Sequence, residues 1–159
     1  MKLSTKGRYA ITAMMELAVR EEFGPTPLIE IAQTQHISLS YLEQLFAKLR
    51  QQGLVKGVRG PGGGFRLNRA AQEITIAEII NAVDGEGFQS FATAADHMPD
   101  GQPFVSKRLW TVLSQQIFQF LSGISLAQLM AGEDAQAILE RVTEAPAVAA
   151  ATTAKQRIA

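Results

Sequence analysis

A mainly α protein with one small β-hairpin is what this 159-residue sequence predicts, and three observations carry that reading. Apolar residues recur at helical spacing through residues 9–18, 28–32, 39–49, 76–83 and 109–121. Between the third and fourth of these stretches the period changes to alternation, on either side of the run Gly60-Pro61-Gly62-Gly63-Gly64. Stop signals close the segments at Gly24-Pro25, Gly53, Asp84-Gly85, Gly123 and Gly132.

The first helix carries Tyr9, Ala10, Ala13, Met14, Leu17 and Ala18 on its apolar side and has about four turns. Pro27 fits the first turn of a short second helix, with Leu28, Ile31 and Ala32 on one face and the polar break Thr34-Gln35-His36 behind it. A third helix begins at Ser38 or Ser40. Either serine suits an N-cap, and Ser40 with Glu43 also fits a capping box. Leu39, Leu42, Leu45, Phe46 and Leu49 fall on its apolar side, and Gly53 supplies a left-handed stop. The opposite side holds Ser40, Tyr41, Gln44, Ala47 and Lys48, which are hydrogen-bonding or small groups rather than a solubilising array of charge.

Leu54 to Val58 and Phe65 to Leu67 then form two short strands around the glycine loop. Thr75 and Glu78 make a capping box ahead of Ile76, Ile79, Ile80 and Val83, a fourth helix. Residues 85–104 show no sustained period and read as a loop. A long helix follows from Ser106 to Leu121, with Leu109, Val112, Leu113, Gln116, Ile117, Phe120 and Leu121 along one seam; Ser125 then opens a short last helix. The chain thus divides into a domain at 1–84, a loop at 85–104, a helical segment at 105–132 and an alanine-rich tail at 133–159, expected to be partly disordered.

Composition removes several function classes. No cysteine is present, so thiolate nucleophiles, disulfides and cysteine-based zinc or iron–sulfur sites are excluded. The two histidines, His36 and His97, are far apart in the chain. No apolar run is long enough to span a bilayer and the N-terminus lacks a signal-peptide core, so the expectation is a cytoplasmic protein with no membrane partner. The zero net charge conceals an asymmetry: residues 1–69 hold ten Lys/Arg against five Asp/Glu, and residues 70–159 hold five against ten. A basic first half is the footprint of a polyanion binder.

The glycine loop distinguishes two designs for approaching phosphate. A nucleotide-cradling loop needs Lys and then Ser or Thr after its last glycine, whereas Phe65 and Arg66 follow Gly64. A dinucleotide fingerprint needs a third glycine where Phe65 stands, and it leads into a helix, not a strand. What remains is a hairpin placed directly after a helix-turn-helix, the order of a winged-helix DNA-binding domain. In that reading the third helix enters the major groove, glycines let the wing tip approach the sugar–phosphate wall, and Arg59 is suited to a narrow minor groove.

The phrases KGRYAITAM, ISLSYLEQLFAKLRQQGLV and VRGPGGGFRL closely resemble winged-helix regulators of the iron–sulfur cluster assembly type, the IscR-like family. The resemblance runs from Met1 to about Met130 and implies a winged helix-turn-helix plus a long dimerisation helix. It implies a homodimeric transcription factor whose partner is double-stranded promoter DNA. Lys6, Tyr41 and neighbouring polar groups would lie at phosphates, Ser40, Glu43 and Gln44 at base edges, and Arg59, Gly60 and Pro61 at the minor groove; Ser38 and Lys48 complete the implied DNA-binding set. Gln44 is suited to adenine and Glu43 to the amino group of cytosine, although a carboxylate near phosphate also serves to reject sequences. The dimer interface would comprise Leu109, Val112, Leu113, Gln116, Ile117 and Phe120.

One departure from the family pattern bears on cofactors. Cluster-binding members hold [2Fe–2S] on three cysteines and a histidine in the loop before the long helix. Here Trp110 of that motif is present, while Phe104 and Lys107 stand at the positions of the last cysteine and the histidine. No cofactor is therefore expected, and His97 is a weak metal candidate because one imidazole does not make a site. Three further readings stay open: a cysteine-substituted form of a cluster sensor, a winged-helix sensor of another small ligand, and a protein–protein winged-helix module. An enzyme is disfavoured, since no nucleophile is paired with a base.

Overall fold

The computed structural model describes residues 4–85 and 104–132. Helix α1, Thr5–Val19, starts at Ser4, whose hydroxyl oxygen accepts from the Gly7 N–H at 3.0 Å. It buries Ala10, Ala13, Met14 and Leu17. Arg20 ends the helix and a 3-10 turn, Glu21–Phe23, carries the chain away. Helix α2, Leu28–Gln35, has Pro27 at its N-cap, one position earlier than the first-turn place expected for it. Its C-cap is His36, left-handed at φ 53° and ψ 41°, which closes the helix with a bond from its N–H to the Ala32 carbonyl.

Helix α3, Leu39–Gln51, settles the choice between two caps. Ser38 is the N-cap and accepts from the Tyr41 N–H at 3.3 Å, so Ser40 lies inside the first turn and its capping box with Glu43 is not used. Leu42, Leu45, Phe46 and Leu49 are buried, while Leu39 at the helix start is 36% exposed and stands at the edge of the core. Gly53 follows at φ 71°, the left-handed stop expected there.

Strands β1, Val55–Val58, and β2, Gly64–Leu67, pair antiparallel with Val55 opposite Leu67 and Val58 opposite Gly64. The hairpin has a third participant. Thr26 bridges β2 through Thr26 N–H to the Phe65 carbonyl at 2.9 Å and Phe65 N–H to the Thr26 carbonyl at 2.8 Å. A 3-10 turn, Ala71–Glu73, leads to α4, Ile76–Asp84, which opens on the complete Thr75/Glu78 capping box. Burial raises the Glu78 pKa, but bonds from the Thr75 backbone, Arg69 and the Thr75 hydroxyl outweigh it and hold the carboxyl below its ordinary value.

Helix α5, Phe104–Ser122, begins two residues before the expected Ser106. Helix α6, Leu126–Met130, is capped reciprocally by Ser125 and Gln128. The link between them returns to the first body of the structure. Ile76 N–H donates to the Ile124 carbonyl, Leu126 N–H donates to the Ile74 carbonyl, and Ile124 and Leu126 are buried. Residues 124–126 therefore complete the core formed by α1, α3 and α4 instead of standing apart with the long helix. The largest fully buried side chains are Phe46, Met14, Leu17, Ile31 and Leu42; each contributes about 1.5–3 kcal/mol of burial.

Candidate nucleic-acid interface

The polar face of α3 is presented as its sequence implies. Ser38, Ser40, Glu43, Gln44, Ala47 and Lys48 are exposed, and Tyr41 is half-buried. Tyr41 is held edge-on against Tyr9 of α1, with ring centroids 6.0 Å apart and planes at 84°. Tyr9 itself is 40% exposed, so it borders this face instead of filling the core. Lys6 lies exposed in the first turn of α1.

The wing is fixed to α3 through its apolar side. Phe65 of β2 packs edge-on against Phe46 of α3 at 5.1 Å, and the Asn68 amide donates to the Gly53 carbonyl at 3.0 Å. These contacts set the height of the loop relative to the helix. Arg59, Gly60 and Pro61 form its exposed tip. Gly63 N–H donates to the Gly60 carbonyl at 2.9 Å, with Pro61 and Gly62 as the central pair and Gly62 at φ 72°. Proline followed by a positive-φ glycine is the signature of a type II turn, so the tip is a defined turn and not a slack loop.

The glycines divide by task. Around Gly60 and Gly62 there is open space, and both have positive φ. A Cβ on Gly63 would meet the Val58 carbonyl and lie 2.8 Å from the Gly60 carbonyl; one on Gly64 would meet the Thr26 carbonyl and lie 2.6 Å from the Pro27 nitrogen. Only part of the run is therefore free to serve close approach to a ligand. Gly63 and Gly64 are required by the protein's own backbone, which leaves Gly60 and Gly62 at the tip.

Charge is sorted by pairing. Arg20 binds Glu16 at 2.6 Å and Glu30 at 2.7 Å, Arg66 binds Glu21 at 3.1 Å, and Arg69 binds Glu78 at 2.8 Å. Among the described residues, Lys6, Arg8, Arg50, Lys56 and Arg59 form no such ion pair. Arg50, Lys56 and Arg59 line a groove of about 530 Å³ between the end of α3 and the hairpin, with Phe65 and Asn68 but no carboxylate. Sequence reasoning passed over Arg50 and Lys56. Their signal was present as cations flanking the Gly53 stop, but only the fold shows that they share a groove with Arg59.

Lys48 differs from its neighbours. Its ammonium donates to the Val83 carbonyl in the last turn of α4 at 2.8 Å. This side chain, expected among the DNA-binding residues, is engaged within the protein.

On α5, Leu109, Val112 and Leu113 are 62%, 47% and 41% exposed, and Gln116 is exposed beside them. Ile117 is half-buried, and Phe120 packs partly against the core of its own chain. The exposed apolar face is thus the N-terminal half of the expected seam.

A family model described as Rrf2, iron-dependent transcriptional regulator, matches residues 3–132. The chain belongs to the Rrf2 family. Its relatives include the HTH-type transcriptional regulator IscR of Aliivibrio salmonicida, 46% identical over 89% of this chain and 84% of that protein. Among solved structures, T. potens IscR superimposes with a TM-score of 0.69 at 36% identity, covering 84% of this chain and 89% of the other. CymR, the global cysteine regulator of B. subtilis, gives a TM-score of 0.71 at 36% identity, covering 84% and 99%. This Rrf2 chain is accordingly a winged-helix transcriptional regulator of the DNA-binding class, and the resemblance drawn from its motifs is correct.

Two matters of metal chemistry follow. Three thiolates cannot be supplied by a chain with no cysteine, so the donor set does not fit a cluster held as in cluster-binding relatives. His97 lies outside the described residues; among the described residues no group of three His, Asp or Glu side chains is placed to hold a metal ion. No helix among the described residues is long and apolar enough to cross a membrane.

Proposed function

We propose that this chain is a homodimeric, sequence-specific regulator that binds palindromic promoter DNA with α3 and the wing, and that it does so without an iron–sulfur cluster. The observation that carries the reading is the conjunction of α3's exposed hydrogen-bonding face with a neighbouring cation-lined groove that contains no acid. Ser40, Glu43 and Gln44 are the base-reading candidates. Gln44 offers the paired donor and acceptor that match adenine, and Glu43 accepts from cytosine while repelling backbone placed too close. Lys6, Ser38 and Tyr41 sit at helix starts, where backbone N–H groups and the helix dipole favour phosphate. Arg59 at the tip supplies the minor-groove charge, and Gly60 and Pro61 give it a bare approach. The homodimer is supported by the exposed Leu109, Val112 and Leu113, and a cytoplasmic location is consistent with the promoter as target.

The test uses duplexes selected by the wild-type protein from a random-sequence pool. Arg59→Ala is expected to weaken binding to the selected duplex by about 1–3 kcal/mol, the scale of a specific contact. Unchanged affinity would remove the wing from recognition.

The absence of thiolates gives a second expectation. Protein purified without air should be colourless, and its affinity for the selected duplex should not change when iron and sulfide are supplied. A visible absorption band, or a several-fold change in affinity, would show that other ligands hold a cluster and would restore the sensor reading.

A further inference from the structure

Helix α3 and the start of α1, two of the elements that would face DNA, are both fastened to the last turn of α4, a helix outside the proposed interface. Lys48 of α3 donates to the Val83 carbonyl at 2.8 Å, and Val83 is fully buried in the last turn of α4. One residue on, Asp84 accepts from the Ser4 hydroxyl at 2.6 Å and 2.5 Å, while Ser4 Oγ accepts from the Gly7 N–H at the start of α1. The last turn of α4 thus holds α3 on one side and the N-terminus of α1, with Lys6, on the other. A helix C-terminus carries negative partial charge, so the Lys48 ammonium is attracted inward by charge as well as by hydrogen bonding.

We infer that Lys48 and Asp84 are positioning residues that set the rotation of α3 and its offset from α1, and that Lys48 does not act as a phosphate contact. The inference rests on the DNA-binding reading above. Lys48 lies one turn beyond Gln44 on the same face, so the bond to Val83 fixes the rotation of the helix that presents Gln44. With a helix radius of about 5–6 Å, a rotation of about 10° displaces a side-chain tip by about 1 Å. That displacement spoils a hydrogen bond to a base edge, whose useful distance range is about half an ångström. A phosphate contact made through flexible side chains tolerates it. Loss of the fastening should therefore erode sequence discrimination while leaving charge attraction in place.

The experiment compares a fluorescent duplex selected by the wild-type full chain with a random-sequence duplex of equal length, across a range of salt. Lys48→Met keeps the alkyl stem and removes the ammonium. The expected result is a loss on the order of ten-fold on the selected duplex, less than about two-fold on the random one, and an unchanged salt slope. Equal loss on both duplexes, with a slope shallower by about 0.9, would identify a phosphate contact and overturn the inference. Full retention of affinity for the selected duplex would overturn it as well. Asp84→Ala gives an independent reading by sign, and decides the matter if Lys48→Met does not fold. Removing an acid strengthens attraction to DNA on electrostatic grounds, whereas loss of the Ser4 fastening predicts weaker binding to the selected duplex. Tighter binding by Asp84→Ala would refute the positioning role. A wild-type protein that enriches no sequence from the pool would instead bring down the DNA-binding reading itself.

Discussion

On the proposed homodimer, Leu113→Glu is expected to yield monomers in sedimentation and to abolish tight binding to a palindromic duplex. Leu113 lies near the middle of α5, with Leu109 one turn before it and Val112 beside it, and all three are exposed on the single chain. A 19-residue helix is about 28 Å long, enough to supply a continuous seam to a second copy. At an exposed site the substitution costs the monomer little, within about 0.5 kcal/mol. In a dimer the carboxylate would be buried without a partner, at a cost of about 3–5 kcal/mol. Thermal unfolding of the monomeric fold should therefore persist while association is lost. Because a palindrome is read by two copies, the monomer keeps only half of the contacts and falls toward its affinity for a single half-site. A variant that remains dimeric would place the interface elsewhere, and Val112→Glu would then be equally silent.

Much of this architecture can be read from local patterns because local physics decides it. The Thr75/Glu78 box, the Gly53 stop and the buried side of α3 each depend on neighbours within one or two turns. The choice between Ser38 and Ser40 was not decidable in that way, since both serines satisfy the cap chemistry and packing of the Ile37 to Leu42 segment selects one. Phe120 has the right helical period for a seam, but periodicity cannot say which body covers an apolar face, and its own core takes part of it.

The same holds for functional groups. The exposed face of α3 and the tip residues Arg59, Gly60 and Pro61 follow from periodicity, turn chemistry and family resemblance. The engagement of Lys48 does not, because its acceptor lies 35 residues away in the chain and is a backbone carbonyl with no sequence signature. Nor does the bridge from Thr26 to Phe65, which joins a loop to a strand across nearly forty intervening positions.

That bridge makes Gly64 a position where one added methyl group should have a large effect on stability. Gly64→Ala places a methyl group against the Thr26 carbonyl and 2.6 Å from the Pro27 nitrogen, both of them backbone. Backbone cannot swing aside as a flexible side chain does, so the strand and the Thr26 segment must separate. Separation breaks the reciprocal bonds at 2.9 Å and 2.8 Å and leaves polar groups of Thr26, only 4% exposed, without partners. It also loosens the Phe65 contact with Phe46 that fixes the wing on α3. Two net hydrogen bonds with their desolvation penalty correspond to about 3 kcal/mol or more in urea unfolding. Gly62→Ala is the control: its φ of 72° is strained for alanine, but open space surrounds it, so the cost should stay near 1 kcal/mol. The order of the two losses is the decisive measurement. If Gly62→Ala destabilises the protein more than Gly64→Ala, the wing is not anchored through Thr26.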